Sequence, residues 1–130
     1  MGETSGRADV LDAGALIAFE RGAKRARAFV QRARAAGIQL IIPAPVLAQV
    51  WRGGARQAQL AALVEARATL IEPFDEPLAK AAGILCGRSG TSDIVDASVV
   101  ISARLHHAVV LTSDPDDLRR IDPSIELESL

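Results

Sequence analysis

The chain has 130 residues and a mass of 13.7 kDa, the size of one domain, so we expect a single domain over residues 1–130. Hydrophobic residues make up 49% of the chain and charged residues 24%, with a mean hydropathy of +0.20, which excludes a disordered chain. No apolar run approaches the ~18 residues that a membrane helix needs. The net charge of -1 does not by itself indicate a nucleic-acid-binding protein.

The first residues and the single cysteine indicate a cytoplasmic setting. Residues 1–7 are polar, with neither the apolar core nor the cleavage site of a signal peptide, and we expect them to form a loose tail. Cys86, the one cysteine, cannot form an internal disulfide, and no Cys/His group has the spacing of zinc ligands. A reducing compartment is therefore expected.

Short apolar runs of strand length alternate with amphipathic segments of helix length. In chain order we predict a strand at residues 8–12, helices at 13–19 and 21–36, a strand at 39–43, helices at 46–52 and 55–68, a strand at 69–73, a helix from Asp75 to about residue 86, a helix at 93–106, a strand at 108–111, a short helix at 114–121 and a half-exposed edge strand at 125–128. This alternation predicts an α/β fold, a three-layer α/β/α sandwich around a mostly parallel sheet.

Four carboxylates fall where such a fold places its ligand site, at the carboxyl ends of the strands. Asp12 ends the first strand, and Asp114 lies just beyond the fourth. Asp93 and Asp96 are three residues apart at the start of a helix, so they share one face. We expect these acids to converge on one crevice.

Converging carboxylates repel one another unless some are protonated or a cation neutralises them. Oxygen ligands without Cys or His favour Mg²⁺ or Mn²⁺ over zinc, and such sites commonly serve phosphate-ester chemistry. The acids therefore indicate metal-dependent hydrolysis of a phosphodiester.

Three segments in order along the chain resemble the PIN-domain ribonucleases, in particular the VapC-like toxins of bacterial toxin–antitoxin pairs. These are residues 10–18 (VLDAGALIA), 91–97 (TSDIVDA) and 111–118 (LTSDPDDL). The resemblance implies a PIN-like fold, metal-dependent endoribonuclease activity, a homodimer, and a small antitoxin that inserts a segment near the active site.

The resemblance also implies roles for individual residues. The metal-site acids would be Asp12, Asp96 and Asp114, with Asp93 beside them and Thr112 or Ser113 as polar support. The family's second acid, usually a Glu, would fall in residues 43–53, where this chain has Gln49.

Gln49 departs from the family pattern. An amide oxygen can bind a cation or a water, but it adds no negative charge and cannot act as a base. Gln49 is compatible with natural variation, with an inactivating change, and with Asp93 supplying the missing charge. The alternative function is therefore a catalytically weak PIN-like module that binds only RNA or its antitoxin.

Structural explanations compete with these roles. Asp12, Asp93 and Asp114 could each cap the helix that follows it. The basic helix that includes Lys24 and Arg27 could track RNA phosphates or simply be solvated. In a receiver-type or phosphatase-like domain Asp12 would be phosphorylated, but neither Lys24 nor Lys80 follows a strand, where it could clamp a phosphoryl group.

Overall fold

The computed structural model describes residues 7–130, in which helices alternate with the strands of one parallel sheet. Except for Arg7, the predicted N-terminal tail lies outside these residues. The elements are β1 (Ala8–Leu11), α1 (Ala13–Glu20), α2 (Lys24–Ala35), β2 (Gln39–Pro43), α3 (Ala44–Val50), a 3-10 turn (Ala55–Gln57), α4 (Ala58–Glu65), β3 (Thr69–Glu72), α5 (Glu76–Ser89), α6 (Ile94–His106), β4 (Val109–Thr112), α7 (Pro115–Ile121) and β5 (Leu127–Ser129).

The strand order of the sheet is β3-β2-β1-β4-β5, and every neighbouring pair is parallel. The central strand β1 places Val10 beside Ile41 of β2 on one side and beside Val110 of β4 on the other. The chain leaves β1 toward β2 and later returns to β4 on the opposite side of β1. The order of the strands therefore reverses between β1 and β4, which is where open parallel sheets form a ligand crevice.

Helices cover both faces of the sheet. Right-handed crossovers place α1, α2 and α4 on one face and α5–α7 on the other, because the chain moves across the sheet in opposite directions before and after β3. Helix α3 follows β2 directly and contacts both α1 and α6. The packing agrees, since α1 contacts α2, α3 and α4 while α7 contacts α5 and α6. The predicted three-layer α/β/α sandwich is confirmed.

Burial on both faces explains the composition of the strands. Strand β2 reads Leu-Ile-Ile in its centre, and Leu40, Ile41 and Ile42 are all fully buried. Val10 and Val110 are likewise fully buried in the two strands beside the reversal point. A strand with helices on both sides needs apolar residues at successive positions, so alternation of apolar and polar residues is absent from it.

Helix boundaries differ from the predictions where Gly and Pro act locally. The helix predicted over residues 21–36 begins only at Lys24, because Gly22 takes a left-handed conformation (φ 82°) in a turn after α1. Pro45 occupies the first turn of α3, which therefore starts at Ala44 and not at residue 46. The helix predicted to end near residue 86 runs on to Ser89, where Gly90 (φ 76°) terminates it.

The helices are short, and the longest, α5, has 14 residues. Within residues 7–130 no helix is long and apolar enough to cross a membrane. Cys86 is buried on α5, where its thiol lies 3.9 Å from the Asp93 carbonyl oxygen, as a small core residue would.

The arginines of the basic helix α2 contact other parts of this chain. Arg27 donates to the Phe19 carbonyl oxygen at 3.1 Å, contacts Gln59, and lies over the Phe19 ring at 4.9 Å from its centroid. Arg32 pairs with Glu128 of β5 at 2.9 Å. These contacts tie α2 to α1, α4 and the edge strand, which favours the structural explanation of this charge.

We therefore expect Arg27→Ala to lower the free energy of unfolding by about 1–2 kcal/mol, because it removes a cation–π contact and a hydrogen bond to a backbone carbonyl. Thermal melting of the variant and of Lys24→Ala measures this. Lys24 is an exposed residue of the same helix, and its substitution should leave Tm unchanged. Equal Tm values for the two variants would show that Arg27 does not fasten α2.

Candidate active site at the carboxyl edge of the sheet

Asp12 lies at the carboxyl end of β1 and is buried, with 5% of its surface exposed. Its Oδ1 accepts a hydrogen bond from the Ala15 N–H at 2.8 Å, so it does cap α1 as the structural explanation expects. Burial raises the pKa of the Asp12 carboxyl, hydrogen bonds from Thr112 and Ala15 act in the opposite sense, and the Asp114 charge raises it further. Capping and electrostatic contact with a second acid therefore coexist at this residue.

The end of β4 brings Thr112, Ser113 and Asp114 next to Asp12. Thr112 is fully buried, and its Oγ1 accepts a hydrogen bond from the Asp114 N–H at 2.8 Å. This bond holds the backbone of the turn into α7. Asp114 is exposed and its side chain makes no capping bond to α7, so the capping explanation is wrong for this residue.

Gly14, in the first turn of α1, allows Ser113 to approach that helix closely. A Cβ at position 14 would overlap with Ser113 Oγ and would lie 3.0 Å from Ser113 Cβ and 3.6 Å from Asp12 Oδ1. Rotation of the exposed Ser113 side chain could relieve the overlap with Oγ, but the contact with Ser113 Cβ would remain tight. The absence of a side chain at Gly14 therefore permits the close packing of the β1–α1 and β4–α7 junctions.

Asp93 and Asp96 begin α6. Asp93 is exposed and caps the helix, since its Oδ1 accepts from the Asp96 N–H at 3.0 Å, which bears out the capping explanation for Asp93. Asp96 is half-buried, and burial together with the charges of Asp93, Asp117 and Asp12 raises its pKa to about 7. The pKa of Asp96 is therefore raised by carboxylates from three places, namely Asp93 before α6, Asp117 of α7 and Asp12 at the end of β1.

Asp117 is an acid of this cluster that the sequence interpretation omitted. Together with Asp93, Asp96 and Arg120 it lines a cavity of about 310 Å³ between α6 and α7. Asp117 pairs with Arg120 at 2.9 Å. The available signal was its position one helical turn after Asp114, because residues three apart on a helix share a face.

Gln49 lies in the last turn of α3 and is exposed. Helix α3 packs against α1 and α6, so it borders the same edge of the sheet. Gln49 does not line the cavity of Asp93 and Asp96, and no side-chain hydrogen bond ties it to Asp12 within residues 7–130.

Two other buried acids, Glu72 and Asp122, have partners close to them in the fold. Glu72 of β3 accepts a hydrogen bond from the Ser102 hydroxyl, and its Oε2 lies 2.9 Å from His106 Nε2. Asp122 pairs with Arg104 at 2.9 Å. These two acids have local partners, whereas Asp12 and Asp96 lie within reach of further negative charge.

The acids of the cluster are close enough to influence one another, but they are not arranged as a finished metal site. Within the described part of the chain, no group of three His, Cys, Asp or Glu side chains is placed to hold a metal ion. Asp12 and Asp93 each direct an oxygen to a backbone N–H of the following helix. Shared coordination of a cation by these acids would require their side chains to turn.

Gly14→Ala should lower the free energy of unfolding by about 1 kcal/mol, because crowding of the Ser113 side chain outweighs the gain in helix propensity that alanine brings. The matched control is Gly83→Ala on the exposed face of α5, where a Cβ meets nothing within 4 Å. That change should stabilise the helix by about 0.5–1 kcal/mol. Chemical denaturation measures both, and two variants of equal stability would contradict the close packing at Gly14.

Asp96→Asn should stabilise the metal-free protein at neutral and alkaline pH. The folded pKa of about 7 lies above the ordinary value of 3.8, so the folded state binds more protons than the unfolded state between these values. Wild-type stability therefore falls as the pH rises from about 4 to about 7 and changes no further from this cause above that range. Asn cannot ionise, so the variant does not lose stability in this way as the pH rises.

Thermal melts with a chelator from pH 4 to pH 8 test the expectation. The Tm advantage of Asp96→Asn should grow to a few degrees across this range, while Asp116→Asn, an exposed acid of α7 outside the cavity, should show no such trend. A pH-independent difference between wild type and Asp96→Asn would show that the ionised form of Asp96 is not disfavoured.

Comparisons with known proteins agree on one family. The sequence profile of the PIN domain matches residues 10–123, which include Asp12, Asp93, Asp96, Asp114 and Asp117. The receiver-type alternative therefore has no support. No curated protein matches the chain.

Solved structures match over nearly the whole chain. VapBC2 from Rickettsia felis, bound to a DNA fragment from its promoter, superimposes with a TM-score of 0.73 at 16% identity, covering 95% of this chain and 98% of that one. FitAB bound to an IR36 DNA fragment gives 0.62 at 15% identity, covering 92% and 93%. FitAcB from Neisseria gonorrhoeae gives 0.59 at 18% identity, covering 91% and 94%.

At these identities the structural matches establish the fold, and the profile establishes the family. The resemblance expected from the three sequence segments is thereby confirmed. The chain belongs to the PIN domain family.

Proposed function

We propose that this chain is a metal-dependent endoribonuclease that acts as the toxin of a toxin–antitoxin pair. The observation that supports the proposal is the mutual influence of acids at the carboxyl edge of a PIN-fold sheet. Besides burial, the charge of Asp114 raises the pKa of Asp12, and the charge of Asp12 raises the pKa of Asp96. Capping of individual helices does not require carboxylates of separate elements to act on one another, so this coupling supports a shared site.

The donor set suits a hard divalent cation. Asp12, Asp96 and Asp114 offer carboxylate oxygens, and burial together with neighbouring acids raises the pKa values of Asp12 and Asp96, so a bound cation would favour their ionised forms. We assign these three residues as the ligands of Mg²⁺ or Mn²⁺, with Asp93 beside them. When bound, the cation supplies charge neutralisation at a phosphoryl oxygen.

The residues around the ligands have positioning roles. Thr112 fixes the backbone of Asp114 through its hydroxyl, and Gly14 lets Ser113 lie against the start of α1. Ser113 thereby places a hydroxyl beside Asp12, where it can donate a hydrogen bond to a phosphate oxygen. In the hydrolysis, a water oxygen forms a bond to phosphorus, the P–O bond to the leaving sugar oxygen breaks, and that oxygen gains a proton.

The partners that we propose follow from the likeness to two-protein complexes. In the matching structures, VapBC2 and FitAB are each bound to a DNA fragment. By analogy, this chain would pair with a small cognate antitoxin in the cytoplasm and form a homodimer. The RNA substrate is inferred from the family resemblance together with the acid cluster.

The alternative function is a catalytically weak PIN module that binds RNA or the antitoxin. Gln49 favours it, because an amide at the position of the usual second acid lowers the negative charge available to a cation. Cleavage of RNA by the purified protein in Mg²⁺ or Mn²⁺, absent with chelator, separates the two functions. Binding without cleavage would select the weak module.

Asp12→Asn and Asp96→Asn should each lower metal-dependent RNA cleavage by about 100-fold or more, because each removes a charged ligand from the proposed site. Both substitutions preserve side-chain shape, and Asn also caps helices well, so the fold should persist. Cleavage of a labelled RNA at saturating Mn²⁺ measures the loss, and Asp116→Asn is the control of equal charge change.

Thermal melting of the same samples confirms that the variants are folded. A folded Asp12→Asn or Asp96→Asn variant with wild-type cleavage would contradict the assigned ligands. A comparable loss in Asp116→Asn would show that overall charge, and not the cluster, controls the activity.

A further inference from the structure

Arg120 is a positive charge placed inside the acidic cavity. It belongs to α7 and lines the cavity of about 310 Å³ together with Asp93, Asp96 and Asp117. Of the described residues that line this cavity, Arg120 alone is basic. Its Nη1 pairs with Asp117 Oδ1 at 2.9 Å.

The pair of Arg120 with Asp117 is easily broken. The two side chains are 77% and 51% exposed, and they lie three residues apart on one helix. Exposed pairs of this kind contribute little to stability, because water screens the attraction and holding two long side chains costs entropy. Arg120 can therefore exchange Asp117 for a stronger anionic partner at small cost.

An RNA phosphate approaching this edge of the sheet meets five carboxylates, those of Asp12, Asp93, Asp96, Asp114 and Asp117. A metal ion offsets part of this repulsion, but the flanking phosphates of the strand still face the acids. Guanidinium groups bind phosphate through two parallel charge-assisted hydrogen bonds, which makes Arg a suitable contact there.

Three other arginines are less well placed for this contact. Arg27 of α2 binds the Phe19 carbonyl oxygen and Gln59. Arg32 has an exposed partner, Glu128, but lines a separate cavity with Arg7 and Asp9. Arg119, the neighbour of Arg120, does not line the cavity. The position of Arg120 is therefore distinctive among these side chains.

We propose that Arg120 binds an RNA phosphate beside the acid cluster, releasing Asp117 as it does so. The proposal rests on the endoribonuclease function proposed above and adds a substrate-binding residue to it. Arg120 would fix the strand relative to Asp12, Asp96 and Asp114, with no part in bond cleavage itself.

The test compares Arg120→Gln with Arg119→Gln, which makes the same charge change one residue away. Anisotropy of a fluorescein-labelled single-stranded RNA of mixed sequence, in Ca²⁺ to limit cleavage, reports the affinity. Arg120→Gln should weaken binding by about tenfold and reduce the slope of log affinity against log salt by about 0.7, as expected for one lost phosphate contact. Arg119→Gln should match wild type, and equal affinities in all three proteins would overturn the proposal.

The variant Asp117→Asn distinguishes two possible roles of Arg120, which are binding of a phosphate and neutralisation of the Asp117 charge. If Arg120 contacts phosphate, Asp117→Asn frees it and RNA binds more tightly, and adding Arg120→Gln still costs about tenfold. If Arg120 only neutralises Asp117, the double variant regains wild-type affinity, which would overturn the proposal.

Calorimetric titration of Mn²⁺ without RNA supplies a readout independent of cleavage. Arg120→Gln should bind Mn²⁺ at least as tightly as wild type, because it removes a positive charge near the acids. Weaker Mn²⁺ binding would mean that Arg120 acts through the metal site and would overturn the proposal. If the wild-type protein binds no RNA, both the endoribonuclease function and the role of Arg120 are wrong. If metal-dependent cleavage is unchanged in Arg120→Gln, only the role proposed for Arg120 is wrong.

Discussion

The parallel pairing of β1 with β4 is the constraint on which the acidic edge depends. Leu11 lies in register with Leu111, and the Asp12 N–H donates to the Leu111 carbonyl oxygen at 3.3 Å. This register ends the two strands at the same level, so that the residues following each must share the space above the sheet. Asp12 and Asp114 lie near each other because the ladder places them there.

The same packing creates the electrostatic cost of the site. Burial and neighbouring acids raise the pKa values of Asp12 and Asp96, so the ionised forms are disfavoured in the metal-free protein. The scaffold acids show the contrast, since Glu72 has Ser102 and His106, and Asp122 has Arg104. Several acids that act on one another lie where the strand order reverses, which is a common property of functional sites. Asp9, near the start of β1, is a separate buried acid whose pKa is also raised by burial, and it lies beside Arg7, Arg32 and Glu128.

The fold class and the positions of Asp12 and Asp114 near the ends of strands could be predicted because their signals are local. Apolar runs alternate with helix-length segments, and Asp12 and Asp114 directly follow two of these runs. Helix boundaries failed where one residue decides them, as at Gly22 and Pro45. The three-residue spacing of Asp117 from Asp114 was visible in the sequence, but the approach of Asp117 to Asp96 depends on how α7 packs against α6, which that spacing does not reveal.

The distribution of basic residues could not be interpreted from charge counts either. Six basic residues between positions 21 and 34 mark α2 as a candidate RNA-binding surface, yet Arg27 and Arg32 fasten that helix to its neighbours. The guanidinium group of Arg27 is half-buried against Phe19, so exchanging its contacts for a phosphate would sacrifice packing as well as charge. Arg32 is more exposed, but it lines a separate cavity with Arg7, Asp9 and Glu128. Arg120 has only a weak, exposed partner to give up. Whether an arginine can bind substrate therefore depends on the contacts that it already makes and on where it lies. By these criteria Arg120 of α7 is better suited to contact a phosphate than Arg27 or Arg32 of α2.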